Sequence, residues 1–441
     1  MRSAYGMALL GQVQSQTNDP VIEWIVMAIV FFIVIGFIGK KAADKTDRDW
    51  LPGLVIAGFA AKVAATLARF YMVEVYYGGG DSFSYHEAGR LFAPIWRAFA
   101  VPISNAGGEG TAFTEQVTGL LYAIYTPSMA GGFLMFAFIA YIGQVLFYIA
   151  FRPWMPAERQ RLYGRVALLF PSMLFWPASV GKDSLMLLFI GIAMVGASRL
   201  LRTYRLSAWF LIAPGVFLTA QIRPHIAGFL MIALVLAALF GRPPAEYRSN
   251  PKRALMIAVS VFGVVFALAT FATDFDVAIE DTRGAATQTP DDFLNQVSDR
   301  TEQGGSAVDG GAATSPLQLP GAIIKVLYRP LLHEGTNPQV LLSALEGTTL
   351  LVITIWKFPV IWRNKWLLRE NPMMLMSFLY TGGFIVAFSA INNLGILARQ
   401  RVQVLPMFLA LLVSMTWDGH VRPSHKKPLP GAGPLELATK D

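Results

Sequence analysis

Residues 21–39 read VIEWIVMAIVFFIVIGFIG and contain a single charged side chain, Glu23. As a helix, this stretch would extend about 28 Å, close to the hydrocarbon thickness of a bilayer. Two lysines, Lys40 and Lys41, follow it immediately. The stretch therefore predicts a membrane-spanning helix with a basic loop at its end.

Further apolar runs repeat this pattern along the chain. They cover residues 51–73, 131–151, 166–180, 185–201, 206–220, 226–240, 254–272, 340–356, 372–391 and 402–417. Charged residues make up only 15% of the sequence, whereas soluble domains have about 25%. The composition excludes an ordinary soluble protein and predicts an all-α membrane protein of about eleven transmembrane helices, forming one polytopic domain over residues 1–417.

Basic residues accumulate in every second loop between these runs. Those loops and the C-terminal tail hold 23 of the 36 lysines and arginines, which marks them as cytoplasmic under the positive-inside rule. The N-terminus is then predicted outside and the C-terminus cytoplasmic, with residues 418–441 forming a disordered cytoplasmic tail. The start of the chain lacks the charged segment and apolar core of a cleaved signal peptide, so none is expected.

Two long loops lie on the predicted outer side. Residues 74–129 follow the second span and are expected to form amphipathic helices on the outer surface, with residues 111–129 as an amphipathic or partly inserted helix. Residues 273–320 are rich in Gly, Ala, Thr, Asp and Gln and carry nine acidic residues against two basic ones. That composition indicates a flexible, solvated loop.

The most specific local signal is the stretch YYGGGDSFSYH at residues 76–86. Its three glycines permit backbone conformations that are closed to other residues and can hold Asp81 at the membrane surface. A carboxylate there can act as general base on a sugar hydroxyl, so Asp81 is the predicted catalytic residue and His86 a second candidate. The structural alternative is that Asp81 only caps a helix over residues 82–99.

Several cations stand on the predicted outer side, where basic residues are disfavoured. Such cations suit a phosphate or pyrophosphate, which arginine can bind through two hydrogen bonds. The predicted phosphate-binding residues are Lys182, Arg223, Arg399 and Arg401, and the predicted substrate-binding residues are Tyr85, Asp183, His225, Arg329 and Glu334. The structural alternatives are a helix cap at Asp183 and an ion pair between Arg329 and Glu334.

Metal and nucleic-acid sites find little support in the sequence. The chain has no cysteine and no His-x-x-x-His pair, so no metal ligand is assigned. A divalent metal that enters with the substrate stays an open alternative. Because the positive charge follows alternate loops of a membrane protein, the net charge of +8 does not predict a nucleic-acid partner.

This arrangement resembles the GT-C class of polytopic glycosyltransferases. The similar stretches are GDSFSYHEAGRL at residues 80–91, the segment from Pro171-Ser172 to Lys182-Asp183, and RQRVQVLP at residues 399–406. The resemblance implies a polyprenyl-phosphate-linked sugar donor and an acidic residue in the first large outer loop. The chain departs from the class in its extra N-terminal helix, and we expect no folded C-terminal outer domain.

The leading expectation is a membrane glycosyltransferase that moves a sugar from a polyprenyl-phosphate-linked donor to a glycan or other acceptor. It would act on the extracytoplasmic face of a bacterial inner membrane, in cell-surface glycan assembly, in contact with membrane lipids and without an assigned cofactor. Two alternatives stay open. One is a polysaccharide polymerase or O-antigen-ligase-like enzyme, and the other is a transporter or flippase of an anionic lipid-linked substrate.

Overall fold

The computed structural model of the chain describes residues 20–104, 109–248, 250–263, 316–335 and 338–420. Within these ranges the regular elements are helices and no strand occurs. The first half comprises α1 Pro20–Ala42, α2 Leu51–Tyr71, α3 Asp81–Arg97, α4 Glu109–Ile124, α5 Met129–Phe151, α6 Ala157–Leu169, α7 Pro171–Phe175 and α8 Lys182–Thr203. The second half comprises α9 Trp209–Ile222, α10 Pro224–Phe240, α11 at residues 251–263, α12 Leu319–Tyr328, α13 Pro338–Arg363, α14 Leu367–Glu370, α15 Pro372–Phe388, α16 Leu394–Gln400 and α17 Leu405–Met415.

Five helices in the described ranges are long and apolar enough to cross a membrane. They are Pro20–Ala42, Leu51–Tyr76, Met129–Trp154, Lys182–Thr203 and Pro338–Arg363. A sixth span results if Leu394–Gln403 and Leu405–Met415, which meet at 69°, count as one. The protein is thus an all-α membrane protein, as the sequence predicts, while the count of eleven spans stays a prediction.

The outer surface of α1 supports contact with lipid. Its side chains Val21, Ile25, Ile29, Ile33 and Phe37 are spaced four residues apart, so each lies beside the next in a stripe that winds slowly around the helix. Each of them is between 49% and 67% exposed. A continuous apolar stripe of this kind is unfavourable in water but suits the hydrocarbon region of a bilayer.

The centre of the bundle is built on α5 and α8, which approach each other closely through glycine. A Cβ atom at Gly143 of α5 would lie 2.5 Å from the carbonyl carbon and oxygen of Leu187 in α8. About two turns further along α8, a Cβ atom at Gly215 of α9 would lie 2.6 Å from the backbone nitrogen of Ala193. Small residues at such crossings let the backbones of membrane helices pack directly together.

The prediction of a continuous helix over residues 166–180 is wrong. Helix α6 ends at Leu169, α7 ends at Phe175, and residues 176–181 are buried without helical structure. Phe170 is extended, with φ −64° and ψ 122°, because proline at the next position disfavours the helical conformation. An apolar composition indicated burial correctly but did not reveal this break.

Two buried ionisable residues hold the broken segment in place. The Glu346 carboxylate of α13 accepts hydrogen bonds from the backbone nitrogen of Ser172, at 2.6 Å, and from the Ser172 hydroxyl. The Lys62 ammonium of α2 donates to the carbonyl oxygen of Met173 at 3.0 Å. Backbone groups away from water must find partners inside the protein, and these contacts supply two of them.

The remaining sequence predictions differ in outcome. Two helices, α3 and α4, follow the second span and pack against each other, and α4 covers much of residues 111–129. Their location on the outer surface stays a prediction. Helix α12 was not predicted, because its apolar run is only ten residues long. The predicted loop at residues 273–320 lies mostly outside the described residues, as do residues 421–441 of the predicted tail and residues 264–272 of one predicted span.

Replacing Gly143 with alanine is expected to destabilise the bundle, because the new methyl group would meet the backbone of α8. Overpacking of this kind costs about 1–3 kcal/mol, so the midpoint of thermal unfolding in detergent should fall. Gly382→Ala in α15 is the matched control, since a Cβ atom there meets nothing within 4 Å. Equal midpoints for the two variants would contradict the close packing of α5 on α8.

Candidate functional site

Four charged side chains from four separate segments meet at one end of the bundle; we call them the charged cluster. The guanidinium of Arg399 in α16 donates from Nε to the Asp183 carboxylate of α8. Its Nη1 atom lies 3.3 Å from a carboxylate oxygen of Asp81 in α3. The second carboxylate oxygen of Asp183 lies 3.3 Å from Nη2 of Arg223, between α9 and α10. Arg399 thus bridges two carboxylates, and Asp183 bridges two arginines.

The glycine run before α3 places Asp81 at the edge of the cluster. Gly78 has φ 63° and Gly80 has φ 131°, values in the region that favours glycine. Gly80 occupies the N-cap position of α3, so Asp81 is the first helical residue rather than the cap. The Asp81 side chain is 64% exposed, and a substrate could therefore reach it from solvent.

Asp183 has the opposite environment, because its side chain is only 4% exposed. Gly181 holds the N-cap position of α8, so the capping alternative for Asp183 does not apply. Burying a carboxylate is costly unless its charge is compensated. The chain supplies this compensation through Arg223, whose non-helical backbone before Pro224 separates α9 from α10, and through Arg399.

Two further cations lie within electrostatic range of the cluster, Lys182 and Arg69. The Lys182 ammonium donates to the Thr111 hydroxyl of α4 at 2.8 Å. The Arg69 guanidinium of α2 donates to the Gln339 side chain at 3.0 Å and lies 5.0 Å from the centre of the Trp176 ring. Among the described residues, the cationic groups around Asp81 therefore exceed the carboxylates by two charges, which favours an anionic ligand.

Some hydrogen-bond donors around the cluster are buried without a partner in the described part of the chain. They are Nη1 of Arg223, Nε of Arg69 and the hydroxyl group of Tyr380. Buried polar groups of folded proteins are almost always paired. An anion with several oxygen atoms, such as a phosphate, could accept hydrogen bonds from donors of this kind.

Tyr85 lies one helical turn after Asp81 and is buried beside the cluster. A Cβ atom at Gly181 would lie 3.6 Å from the Tyr85 ring and 3.9 Å from Nη2 of Arg399, so both side chains border the start of α8. Burial raises the pKa of the Tyr85 phenol above its ordinary value. The phenol therefore stays protonated at neutral pH and can donate a hydrogen bond to a substrate.

Arg401 does not join the cluster, although the sequence pairs it with Arg399. Its side chain is fully buried, and Nη1 donates to the carbonyl oxygens of Leu327 at 2.9 Å and Arg329 at 3.1 Å. These contacts tie the turn after α16 to the C-terminal end of α12. The phosphate-binding role predicted for Arg401 is therefore not supported by its position.

His86 also contacts a different set of residues. Its Nδ1 atom lies 2.9 Å from the Tyr122 hydroxyl of α4. Burial, together with the positive charge of Arg90, lowers the pKa of His86 to about 4. The imidazole is therefore neutral at pH 7, but its described partners hold it between α3 and α4 and do not include the charged cluster.

The described contacts of the other predicted substrate-binding residues do not include Asp81. The imidazole of His225 is exposed in the first turn of α10, 5.9 Å from the centre of the Phe388 ring. Arg329 and Glu334 form an ion pair with each other, which is the alternative that the sequence left open. That hydrogen-bonded pair outweighs the effect of burial and lowers the pKa of Glu334.

Sequence reasoning assigned no role to Arg69, Tyr380 or Thr111. Arg69 did carry a signal, because a cation inside an apolar run is a functional candidate by default. Tyr380 and Thr111 carried none, since such residues are common in apolar helices. Only the tertiary structure relates Tyr380 to Arg223 and Thr111 to Lys182.

Replacing Asp183 with asparagine is expected to destabilise the protein strongly, because Arg223 and Arg399 would lose their shared counter-charge. Breaking a buried ion pair costs about 3–5 kcal/mol. Asp418→Asn is the matched control, because the pair of Asp418 with Arg363 is 61% exposed on both sides and should contribute at most about 1 kcal/mol. Thermal unfolding in detergent measures both effects, and similar losses in the two variants would refute the compensating role of the arginines.

The charged cluster thus joins Asp81, Asp183, Arg223 and Arg399, with Lys182 and Tyr85 beside it. No group of three or more His, Asp or Glu side chains that could hold a metal occurs among the described residues. Comparison of the chain with known protein families, curated proteins and solved structures found no match.

Proposed function

We propose that the protein is a membrane glycosyltransferase that moves a sugar from a polyprenyl-phosphate-linked donor to an acceptor hydroxyl. The observation that carries this proposal is the charged cluster, in which the accessible Asp81 carboxylate lies 3.3 Å from the Arg399 guanidinium. The reaction needs a base for the acceptor and cations for the departing phosphate. The cluster offers both within one small region, in line with the resemblance to the GT-C class.

In the proposed step, the acceptor oxygen bonds to the anomeric carbon of the sugar, and the bond between that carbon and the phosphate oxygen breaks. Asp81 takes the proton of the acceptor hydroxyl, and the phosphate leaves with the electron pair. Negative charge then grows on the phosphate. Arg399, Arg223 and Lys182 stabilise that charge because they are already held in place by hydrogen bonds.

The side chains next to Asp81 favour a lipid-linked donor. Val75, Tyr76 and Tyr77 directly precede the glycine run and are each more than half exposed. Exposed aromatic residues at the end of a membrane helix are typical of the boundary between lipid and water. A polyprenyl chain could lie against these apolar surfaces while its phosphate reaches the cluster.

The orientation of the protein belongs to the same proposal. The cluster would face the extracytoplasmic side of a bacterial inner membrane, with the basic loops in the cytoplasm and the complete chain crossing about eleven times. Lipid-linked sugars exposed on that side would be the donors, and a cell-surface glycan or another acceptor would receive the sugar. The cations of the cluster would supply positive charge for the step, and a divalent metal that enters with the substrate stays an open alternative.

A polysaccharide polymerase or O-antigen-ligase-like enzyme would use the same cations and differ in its product. Its candidate histidines, His86 and His225, have described contacts with Tyr122 and Phe388 rather than with Asp81. A single added sugar favours simple transfer, whereas a ladder of products favours polymerisation. A reaction with the two substrates and electrophoresis of the glycan separates these outcomes.

A transporter of an anionic lipid-linked substrate is the second candidate, because Lys62 and Glu346 are buried within membrane helices. Ionisable groups at that depth often line a substrate path. Both side chains here hold the broken segment at Ser172 and Met173, however, which gives them a structural task. Movement of the donor across a vesicle membrane without chemical change would favour transport over transfer.

Replacing Asp81 with asparagine should abolish sugar transfer, with a loss of at least about 100-fold, because the amide cannot accept the proton of the acceptor. The measurement is transfer of labelled sugar from a polyprenyl-phosphate donor by purified protein in liposomes. The thermal unfolding midpoint should change little, since the Asp81 side chain is largely exposed.

Asp49→Asn provides the matched control for that experiment. Asp49 is an exposed aspartate in the loop between α1 and α2, on the predicted cytoplasmic side, and its loss should leave transfer intact. Full activity of the Asp81 variant would remove the base assignment. Equal loss in both variants would show that the change acts through net charge rather than through the cluster.

Because the chain contains no cysteine, single introduced cysteines can report its orientation. Ser84 in α3 and Ser207 between α8 and α9 are both exposed. In intact spheroplasts, a membrane-impermeant maleimide should label Ser84→Cys but label Ser207→Cys only after the membrane is opened. The reverse pattern would place the charged cluster in the cytoplasm and contradict the proposed orientation.

A further inference from the structure

A second site is suggested by a cavity of about 730 Å³ at the far end of α10 from Arg223. Its lining combines the end of α10 and the start of α11 with residues of the segment 366–370. Helix α10 has 17 residues, so about 25 Å of helix separates the cavity from the charged cluster. The two sites are therefore distinct, on opposite ends of the bundle.

The cavity is strongly basic. Its described lining contains four arginines and one carboxylate, and the Glu370 carboxylate already accepts two hydrogen bonds from Arg242 at 2.7 and 2.9 Å. No second carboxylate in that described lining compensates the charges of Arg248, Arg253 and Arg369. The excess positive charge favours an anion, and arginines are well suited to the oxygen atoms of a phosphate.

Contacts with the backbone hold the Arg253 side chain and join two walls of the cavity. Nη2 of Arg253 in α11 lies 3.2 Å from the carbonyl oxygen of Ala238 and 3.3 Å from that of Leu239, at the end of α10 where cations are favourable. Its Nε atom is buried without a partner in the described part of the chain. The backbone nitrogen of Arg242 donates to the carbonyl oxygen of Arg369 at 2.7 Å, which joins the two walls of the cavity.

The apolar part of the lining points to a lipid rather than a soluble ligand. Phe240 is 68% exposed and Leu239 is 42% exposed, both at the end of an apolar helix. Trp366 lines the same cavity, and tryptophan is enriched at the boundary between lipid and water. A molecule that fits this combination has a phosphate head group for the arginines and acyl chains for the exposed apolar side chains.

We propose that this cavity binds the head group of an anionic phospholipid, with its phosphate held by Arg248, Arg253 and Arg369 and its acyl chains against Leu239 and Phe240. Basic pockets between membrane helices are known to recognise such head groups. The site does not depend on the proposed transfer reaction, because it shares no residue with the charged cluster. Failure of one proposal would leave the other unaffected.

The test uses the full-length protein in detergent, titrated with phosphatidylglycerol or phosphatidylcholine. Native mass spectrometry counts the bound lipids, and the rise in unfolding midpoint reports their affinity. The variant R248Q/R369Q removes two arginines that are exposed and hold no described side-chain ion pair. R161Q/R165Q removes the same charge from exposed positions of α6 outside the cavity and serves as the matched control.

We expect saturable binding of phosphatidylglycerol to wild type and to R161Q/R165Q, at least tenfold weaker binding to R248Q/R369Q, and no comparable binding of phosphatidylcholine. Equal weakening in both double variants would overturn the proposal, because the effect would then follow net charge. A competition experiment needs no variant. If glycerol phosphate without acyl chains displaces the lipid at similar concentration, the ligand is a soluble phosphate and the assignment to a phospholipid is wrong.

Discussion

The arrangement of the site depends on one electrostatic constraint, the burial of the Asp183 carboxylate. A carboxylate that is 4% exposed is stable only when nearby cations compensate its charge. Arg223 and Arg399 do so from two other parts of the chain, so that the start of α8, the break between α9 and α10, and α16 must converge. Asp81 then joins through Arg399. A rigid set of cations is thereby held beside a carboxylate that solvent can reach.

Buried polar groups also constrain the segment before α8, where Pro171 interrupts the helix after Leu169. A break after Leu169 leaves backbone groups that neither lipid nor water can satisfy, so other helices must supply partners. Glu346 and Lys62 supply two, at Ser172 and Met173. These buried ionisable residues are thus accounted for by structure, and they fix the approach of the chain to Lys182 and Asp183.

The two ends of the bundle use positive charge in different ways. Around Asp81, arginines and carboxylates alternate, which gives an anion-binding region with a base inside it. At the end of α10, arginines surround a cavity whose single described carboxylate is already engaged by Arg242. The first arrangement suits a reaction at a phosphate leaving group, whereas the second suits retention of an anionic head group.

The sequence by itself determined the helical membrane class. Apolar runs and basic loops can be recognised locally, because each depends on whether its own side chains are more stable in lipid or in water. It also indicated Asp81, since the glycines that position it are adjacent in the chain. The sequence could not tell which of Arg399 and Arg401 binds Asp183. Two residues that are two positions apart on a helix point in directions about 200° apart, and only the packing of the helices decides which of them faces Asp183. Likewise Arg69 and Arg223 reach the cluster through contacts between segments far apart in the chain, and such contacts exist only in the tertiary structure.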